Sequence, residues 1–224
     1  MTTTARKGPW RAFLFDLDGT LVNSSPLHER AFQEALAAEA PEVAADFEYR
    51  SIMGMETRAA LVRLGVQTPA ALTRISGMKR ERYRELAQLG FLQEMPGARA
   101  LLEHLRARGA RVGVVTSAST ASADLALTVA GLRTAVDFVV AAEDAVRSKP
   151  DPAPYLRGLE RCGAGAGEAV AIEDAPAGVQ AARSAGLTVL GVHDPGVATL
   201  ADGYFESLDR LREHVAELTG CFAS

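Results

Sequence analysis

Short apolar segments alternate with helix-forming segments from residue 95 onward, and this alternation limits the possible folds more than any other feature. Each candidate strand is rich in apolar or β-branched residues, and a candidate helix separates each from the next. The candidate strands in this region lie at residues 111–117, 138–142, 169–174 and 188–192, and a further candidate strand lies near the N-terminus at residues 13–15. Parallel strands need long, usually helical, connections. The sequence therefore predicts an α/β fold with a doubly wound, mostly parallel, Rossmann-like sheet.

Two aspartates follow the first apolar run, and a glycine follows them. Asp16 and Asp18 are two residues apart, so in a continued strand they lie on the same side and share a small volume. Carboxylates this close repel each other unless a cation or a shared proton separates them. Hard oxygen ligands favour Mg²⁺. A bare pair of this kind is also typical of an Asx-type turn, so the downstream residues must decide.

Further polar side chains follow the later strands or precede a later helix. They are Thr116, Ser117, Lys149, Glu173 and Asp174. In a doubly wound sheet, ligands bind beyond the carboxyl ends of the strands, so we expect these groups to meet the aspartate pair. Each alone has an ordinary explanation as a turn residue, a surface lysine or a helix-terminal acid. Together they suit phosphoryl transfer, which needs a nucleophile, a metal and donors for the charged oxygens.

A helical segment separates the aspartate pair from the remaining strands. It shows no convincing strand, and its candidate helices lie at residues 26–39, 57–64 and 69–89, the last broken near Gly77. Lids over clefts are inserted in this way. We therefore expect an α/β core domain of residues 1–23 and 94–224 and an all-helical cap of residues 24–93. The alternative is that these helices belong to the main core.

Composition limits the partners of the chain. The net charge of -4 and the lack of a basic cluster argue against a nucleic-acid partner. No apolar run approaches the length of about 18 residues that predicts a membrane span, and the first nine residues lack the apolar core of a signal peptide. Cys162 and Cys221 have neither metal-binding nor redox spacing. We expect a cytoplasmic protein that is a monomer or a weak dimer.

Four segments of the chain match the motifs of a known family. They are Asp16–Leu21, Val115–Ser119, Lys149–Pro152 and Ile172–Gly178. With them the chain resembles the haloacid dehalogenase-like hydrolase superfamily, in the branch of sugar-phosphate phosphatases and β-phosphoglucomutase-like enzymes with a small helical cap. The resemblance implies a Mg²⁺-dependent phosphatase that hydrolyses a small phosphorylated metabolite, in the first place a sugar phosphate, through an aspartyl phosphate.

The resemblance assigns the chemistry to the aspartate pair. Asp16 would be the nucleophile and a metal ligand. Asp18 would be the acid that protonates the leaving alkoxide and then the base that activates water, with its backbone carbonyl on the metal. An aspartate at this second position argues against the dehalogenases and phosphonatases of the same fold, because neither has one there.

The resemblance gives binding roles to the other five groups. Thr116 and Lys149 would hold the phosphoryl oxygens, with Ser117 as a supporting donor. Asp174, with Glu173 beside it, would complete the Mg²⁺ site.

Mutase and phosphatase are harder to separate. The mutases commonly have valine where Thr20 stands, and a cap-loop arginine that here is displaced by one residue, to Arg58. Phosphatase is therefore favoured. The alternatives are a phosphomutase, a phosphoglycolate or glycerol phosphatase, and a non-catalytic phosphate-binding relative.

Substrate choice is expected to depend on the cap. The candidate substrate contacts there are His28, Glu56, Arg58 and Lys79. Each has an ordinary alternative, since His28 could pack between helices and Lys79 could be an exposed lysine in a basic run.

Overall fold

The computed structural model describes residues 10–219, with side chains as far as residue 216. The first nine residues and Cys221 lie outside the described residues. In chain order the strands and helices are β1 Ala12–Phe15, β2 Val22–Asn23, α1 Ser25–Glu39, α2 Pro41–Ala45, α3 Thr57–Arg63, α4 Pro69–Leu86, β3 Gln93–Glu94, α5 Ala98–Ala107, β4 Arg111–Val115, α6 Thr120–Val129, β5 Phe138–Val140, α7 Ala153–Cys162, β6 Ala169–Glu173, α8 Pro176–Ser184, β7 Thr188–Val192, β8 Gly203–Phe205 and α9 Leu208–Thr219.

The strand β1 lies inside a six-stranded parallel sheet of order β5-β4-β1-β6-β7-β8. Ala12 is paired with Arg111 of β4 on one side and with Ala169 of β6 on the other. These registers bring the carboxyl ends of β1, β4 and β6 to one edge, so the residues that follow each strand are neighbours. The predicted α/β fold with a doubly wound parallel sheet is confirmed.

Both faces of the sheet are covered by helices. Phe13 and Phe15 of β1 pack into an apolar cluster with α5, α6 and α9. Ala12 and Leu14 pack into a second cluster with α7 and α8. Because successive residues of a strand point to opposite faces, a central strand covered on both faces must be apolar throughout. This explains the unbroken apolar run before Asp16.

The helices between β2 and β3 contain an apolar cluster of their own. Phe32, Leu36, Leu61 and Ile75 are buried there, and no residue of the sheet belongs to it. The chain enters and leaves this segment through β2 and β3, which pair antiparallel with Val22 opposite Glu94. We call residues 24–93 the helical insertion. The division into two domains at these boundaries stays a prediction.

The structure corrects several local expectations. Helix α4 is unbroken at Gly77 and runs from Pro69 to Leu86, followed by a π-helical turn over Ala87–Phe91. The strands β2, β3 and β8 were not expected from the sequence, because strands of two or three residues are too short for a period-2 pattern. Strand β4 ends at Val115, so Thr116 and Ser117 lie in the loop that follows it.

Candidate active site

The loop after β1 carries the two predicted catalytic aspartates at the carboxyl edge of the sheet. The amide of Asp16 donates to the carbonyl of Ile172, which extends the pairing of β1 with β6 by one residue. Gly19 has φ of +88°, and a Cβ there would lie 2.1 Å from Oδ2 of Asp174. Only glycine therefore allows the loop to turn this close to the acidic end of β6.

Three buried carboxylates meet beneath this loop. One ligand oxygen from each of Asp16, Glu173 and Asp174 lies within 4.8 Å of the others. Lys149 neutralises part of their charge: its ammonium lies 2.5 Å from Oδ1 of Asp16, 2.6 Å from Oε1 of Glu173 and 2.8 Å from the carbonyl of Val115. An ammonium has three N–H donors, so all three are engaged within the protein.

The charges in this cluster are not balanced by Lys149 alone. Burial raises the pKa of Asp16 well above its ordinary value, and Glu173 and Asp174 add to this rise while Lys149 opposes it. Burial and the charge of Glu173 likewise raise the pKa of Asp174 to about 8. Although burial acts against it, the carboxylates of Asp16 and Glu173 raise the pKa of Lys149 above its ordinary value. The cluster thus needs a further positive charge to be fully ionised.

A divalent metal ion fits this need. Oε2 of Glu173 is buried and has no hydrogen-bond partner among the described residues, which is unusual for a buried carboxylate oxygen. Carboxylate oxygens are suitable ligands for a hard divalent cation. The buried acidic triad could therefore hold a metal. The side chain of Asp18 is not part of it, and a contribution from the backbone carbonyl of Asp18 stays a prediction.

Tyr155 of α7 is a member of the site that sequence reasoning missed. Its hydroxyl donates to Oε1 of Glu173 at 2.6 Å, and the ammonium of Lys149 lies 5.1 Å from its ring centre. On the other side, a Cβ at Gly178 would lie 2.0 Å from the Glu173 carboxylate, so α8 approaches it without a side chain. Glu173 is thereby held in one position. The only signal for it in the sequence was a tyrosine on the apolar face of the helix that follows Lys149.

Asp18 faces the helical insertion. Its Oδ1 accepts a hydrogen bond from Oγ of Ser24 at 2.5 Å and lies 3.0 Å from Nε2 of His28. The other ring nitrogen of His28, Nδ1, lies 2.8 Å from the ammonium of Lys79. The ring of Tyr83 stacks on the imidazole at 4.3 Å between centres. The structure thus places a chain of two polar side chains, Lys79 of α4 and His28 of α1, on the predicted acid/base.

Burial fixes the protonation of this chain. It lowers the pKa of His28, and the nearby Lys79 lowers it further, so the imidazole is neutral. Since an ammonium can only donate, Nδ1 of His28 accepts from Lys79 and the ring proton is on Nε2, which donates to Asp18. Burial alone would raise the pKa of Asp18, but His28, Ser24 and Lys79 outweigh it and lower that pKa to about 2. Asp18 is therefore a carboxylate at neutral pH.

One cavity of about 60 Å³ connects these groups. Of the predicted site residues, it is lined by Asp16, Asp18, His28, Lys79, Thr116 and Ser117. Lys79 is only 6% exposed and His28 8%, so the exposed-lysine alternative for Lys79 is wrong. We call this space the catalytic cavity. Asp16 and Asp18 both line the catalytic cavity, which agrees with the sequence-based prediction that they share one small volume.

The two predicted phosphate-binding hydroxyls occupy different surroundings. Thr116 is 2% exposed, and its Oγ1 accepts from the amide of Ala118 at 3.0 Å, which leaves the hydroxyl proton free to donate. Ser117 instead donates from Oγ to the carbonyl of Gly54 at 3.2 Å. Gly54 belongs to the helical insertion, so Ser117 connects the insertion to the core. Its role as a phosphate ligand stays a prediction.

The other two predicted contacts in the insertion do not reach the catalytic cavity. Glu56 accepts from the amide of Ala59 at 3.0 Å and so caps α3. Arg58 is exposed, and both residues line a neighbouring, larger cleft. Arg58 is displaced by one residue in the sequence from the cap-loop arginine of the mutases, and in the structure it lies outside the catalytic cavity.

Among the described residues, none of the helices combines the length and the apolar character that a membrane span requires.

Comparisons with known proteins agree with this site. A family described as haloacid dehalogenase-like hydrolase matches residues 13–192. Hexitol phosphatase A of Escherichia coli (strain K12) is 36% identical over 190 residues, which cover 83% of this chain and 84% of that protein. The crystal structure of CbbY from Rhodobacter sphaeroides in complex with phosphate is 27% identical with a TM-score of 0.77, covering 90% of this chain and 96% of that one. The crystal structure of β-phosphoglucomutase from Clostridium difficile is similar in fold, with a TM-score of 0.82 at 21% identity over 94% of this chain and 97% of that one.

Proposed function

The chain belongs to the haloacid dehalogenase-like hydrolase family, and we propose that it is a Mg²⁺-dependent phosphatase that hydrolyses a small phosphomonoester, with a sugar phosphate as the first candidate substrate. One observation carries the proposal. A buried acidic triad paired with Lys149 lies beside an ionised Asp18 that is hydrogen-bonded to His28, and both Asp16 and Asp18 line one cavity. The sequence had predicted an enzyme of this class, and the relatives named as phosphatases confirm that class.

The first step is phosphoryl transfer to Asp16. A carboxylate oxygen of Asp16 forms a bond to phosphorus while the bond from phosphorus to the ester oxygen breaks. Lys149 holds Oδ1 of Asp16 in place, so little reorientation is needed during attack. The free hydroxyl proton of Thr116 is available for a phosphoryl oxygen. The ionised Asp18 first takes the acidic proton of the monoanionic phosphate ester and then gives that proton to the leaving alkoxide, which departs as an alcohol.

The second step is hydrolysis of the aspartyl phosphate. Asp18 is now a carboxylate and takes a proton from water as the water oxygen attacks phosphorus. The bond from phosphorus to Asp16 breaks, Asp18 gives the proton that it took from water to the departing phosphate, and both aspartates are carboxylates again. The donors Ser24 and His28 fix the orientation of Asp18 in both steps.

Mg²⁺ is the proposed metal. Asp16, Glu173 and Asp174 would hold it, and when bound it supplies positive charge that lets an anionic carboxylate approach an anionic phosphate. The partnerless Oε2 of Glu173 supports a direct contact from that residue.

The helical insertion is the proposed cap. It contributes His28 and Lys79 to the catalytic cavity and contacts the core through Ser117 and Gly54. Arg58 lines the neighbouring cleft rather than the catalytic cavity. The relative named as a hexitol phosphatase supports hydrolysis over transfer between two positions of one sugar. Small cytoplasmic phosphate esters are the proposed substrates.

Phosphate release from p-nitrophenyl phosphate tests the proposal directly. We expect release with Mg²⁺ and its loss in excess EDTA, with recovery when Mg²⁺ is restored, because the triad cannot be fully ionised without a cation. Release that is equal in EDTA would contradict the metal-dependent mechanism. Binding of phosphate without turnover of any ester would instead indicate a non-catalytic phosphate-binding protein.

The buried ammonium of Lys79 predicts a pH limit. Burial lowers the pKa of Lys79 to about 8, although Asp18 and Glu56 oppose this. Below that pH Lys79 is charged and donates to His28. Above it the donor charge is lost, so kcat/KM should fall as pH rises through about 8. In Lys79→Met the plateau should be about tenfold lower and this descending limb should disappear.

The control for this pH profile is Arg84→Met, which removes an exposed charge from the same helix and should leave the limb in place. A descending limb near pH 8 that survives in Lys79→Met would show that another group causes it.

A further inference from the structure

A second, larger cleft adjoins the catalytic cavity. It has a volume of about 390 Å³ and lies between α3 and α4 of the helical insertion and the core loops that carry Ser119 and Glu143. Thr57 and Arg80 line both spaces, so the two are direct neighbours. We call it the outer cleft. At roughly 10–15 Å³ for each water-sized group, the catalytic cavity has room for little more than a phosphoryl group and its ester oxygen. The outer cleft offers adjoining space for the remainder of a larger substrate.

The outer cleft offers donors that the protein does not use. Within residues 10–216, the guanidinium groups of Arg58 and Arg80 make no ion pair and no hydrogen bond. Oγ of Ser76, on the same face of α4 as Arg80, is buried and has no hydrogen-bond partner in the described part of the chain. Ser76 itself is 9% exposed. A buried hydroxyl without a partner is costly unless a ligand satisfies it.

The same cleft also offers acceptors. Glu56 and Glu143 line it, and their carboxylates each retain acceptor capacity beyond the backbone amides of Ala59 and Thr120 that they cap. Two guanidinium groups and two carboxylates in one cleft give no net charge. A second phosphate or a carboxylate would gain from the arginines but be repelled by the glutamates. Sugar hydroxyls both donate and accept, so they can use all of these groups.

We propose that the outer cleft binds the neutral, polyhydroxylated part of the leaving group, and that Arg80 and Ser76 are specificity-determining residues for it. This inference rests on the proposed phosphatase function. The inference predicts which phosphate esters the enzyme prefers. Hexose or hexitol phosphates should be preferred over glycerol 3-phosphate, which is too short to reach the outer cleft. They should also be preferred over phosphoglycolate and sugar bisphosphates, which carry a second anion.

The wild-type test compares kcat/KM for sorbitol 6-phosphate, glycerol 3-phosphate, 2-phosphoglycolate, fructose 1,6-bisphosphate and p-nitrophenyl phosphate, all with Mg²⁺. Sorbitol 6-phosphate should exceed each of the three other metabolites by at least about tenfold, which corresponds to one hydrogen bond to a charged group. A preference for the bisphosphate or for phosphoglycolate would overturn the inference.

Variants of the outer cleft then test whether its residues cause the preference for sorbitol 6-phosphate. Arg80→Ala and Ser76→Ala should each lower the kcat/KM ratio of sorbitol 6-phosphate to glycerol 3-phosphate, by about tenfold for Arg80→Ala and severalfold for Ser76→Ala, mainly through KM. Arg84→Ala is the matched control, because it makes the same change one helical turn further along α4, at a residue that lines neither space. Its ratio should equal that of the wild type.

The two levels of proposal fail differently. If the wild type releases phosphate from no ester, the phosphatase function itself is wrong. If p-nitrophenyl phosphate is hydrolysed with Mg²⁺ but the ratio is unchanged in both Arg80→Ala and Ser76→Ala, only the role of the outer cleft is wrong.

Discussion

Asp16→Asn should lower kcat for every phosphomonoester by at least about 10⁴-fold, because an amide cannot replace a carboxylate as the nucleophile. The substitution keeps the shape of the side chain and an oxygen that can accept from Lys149, now 2.5 Å from Oδ1. It also removes one of three crowded negative charges. Folding should therefore be retained, so the loss should appear in chemistry alone. Single-turnover kinetics and circular dichroism on the same samples check both halves of this expectation.

Asp124→Asn is the matched control for that experiment. It makes the same chemical change at an exposed carboxylate of α6 that pairs with Arg133 and lines neither the catalytic cavity nor the outer cleft. Its turnover should be that of the wild type. Because the introduced asparagine could revert to aspartate by deamidation, intact mass should be recorded before the assay. Turnover by intact Asp16→Asn above about one hundredth of the wild-type value would show that Asp16 is not the nucleophile.

Lys149→Met should affect folding as well as activity. Lys149 is 4% exposed and lies between Asp16 and Glu173, so its removal leaves buried carboxylates without their cation. Removing one partner of a buried ion pair costs about 3–5 kcal/mol of unfolding free energy. We expect a loss of this size in urea unfolding with EDTA, and a smaller loss with Mg²⁺, because a bound cation compensates the carboxylates.

Two further variants separate charge from packing. Arg133→Met removes an exposed ion pair and should cost no more than about 1 kcal/mol. Adding Glu173→Gln to Lys149→Met removes one of the uncompensated charges and should restore part of the lost stability. A double variant no more stable than Lys149→Met alone would show that lost packing, and not charge, causes the defect.

The sequence predicted the parts of the site that depend on strand ends. Asp16, Thr116 and Asp174 follow apolar strands, and a parallel sheet brings all such ends to one edge. Lys149 lies in the loop before α7, which also begins at that edge. The same logic predicted the α/β fold. These predictions needed only periodicity and the order of the elements.

The side-chain contacts that depend on how helices pack could not be predicted in this way. His28 and Lys79 lie 51 residues apart in the chain and meet only because α1 and α4 pack together. Helical periodicity shows which face of each helix is apolar, but it does not show which polar group on that face meets another. The hydroxyl of Tyr155 was hidden for the same reason, since an aromatic residue on a buried helix face is usually a core residue.

The position of β1 in the sheet also sets the order in which the enzyme can be made. Residue 12 pairs with residue 111 on one side and residue 169 on the other, so the strand that carries the nucleophile emerges from the ribosome long before either neighbour. The helices of residues 24–93 form an apolar cluster of their own and can pack in that interval, whereas contacts of still higher sequence separation form late. Catalytic competence should thus appear only once β6 has been synthesised and added to the sheet. A ribosome-stalled chain that ends before Ala169 should hold a folded helical insertion and an inactive Asp16.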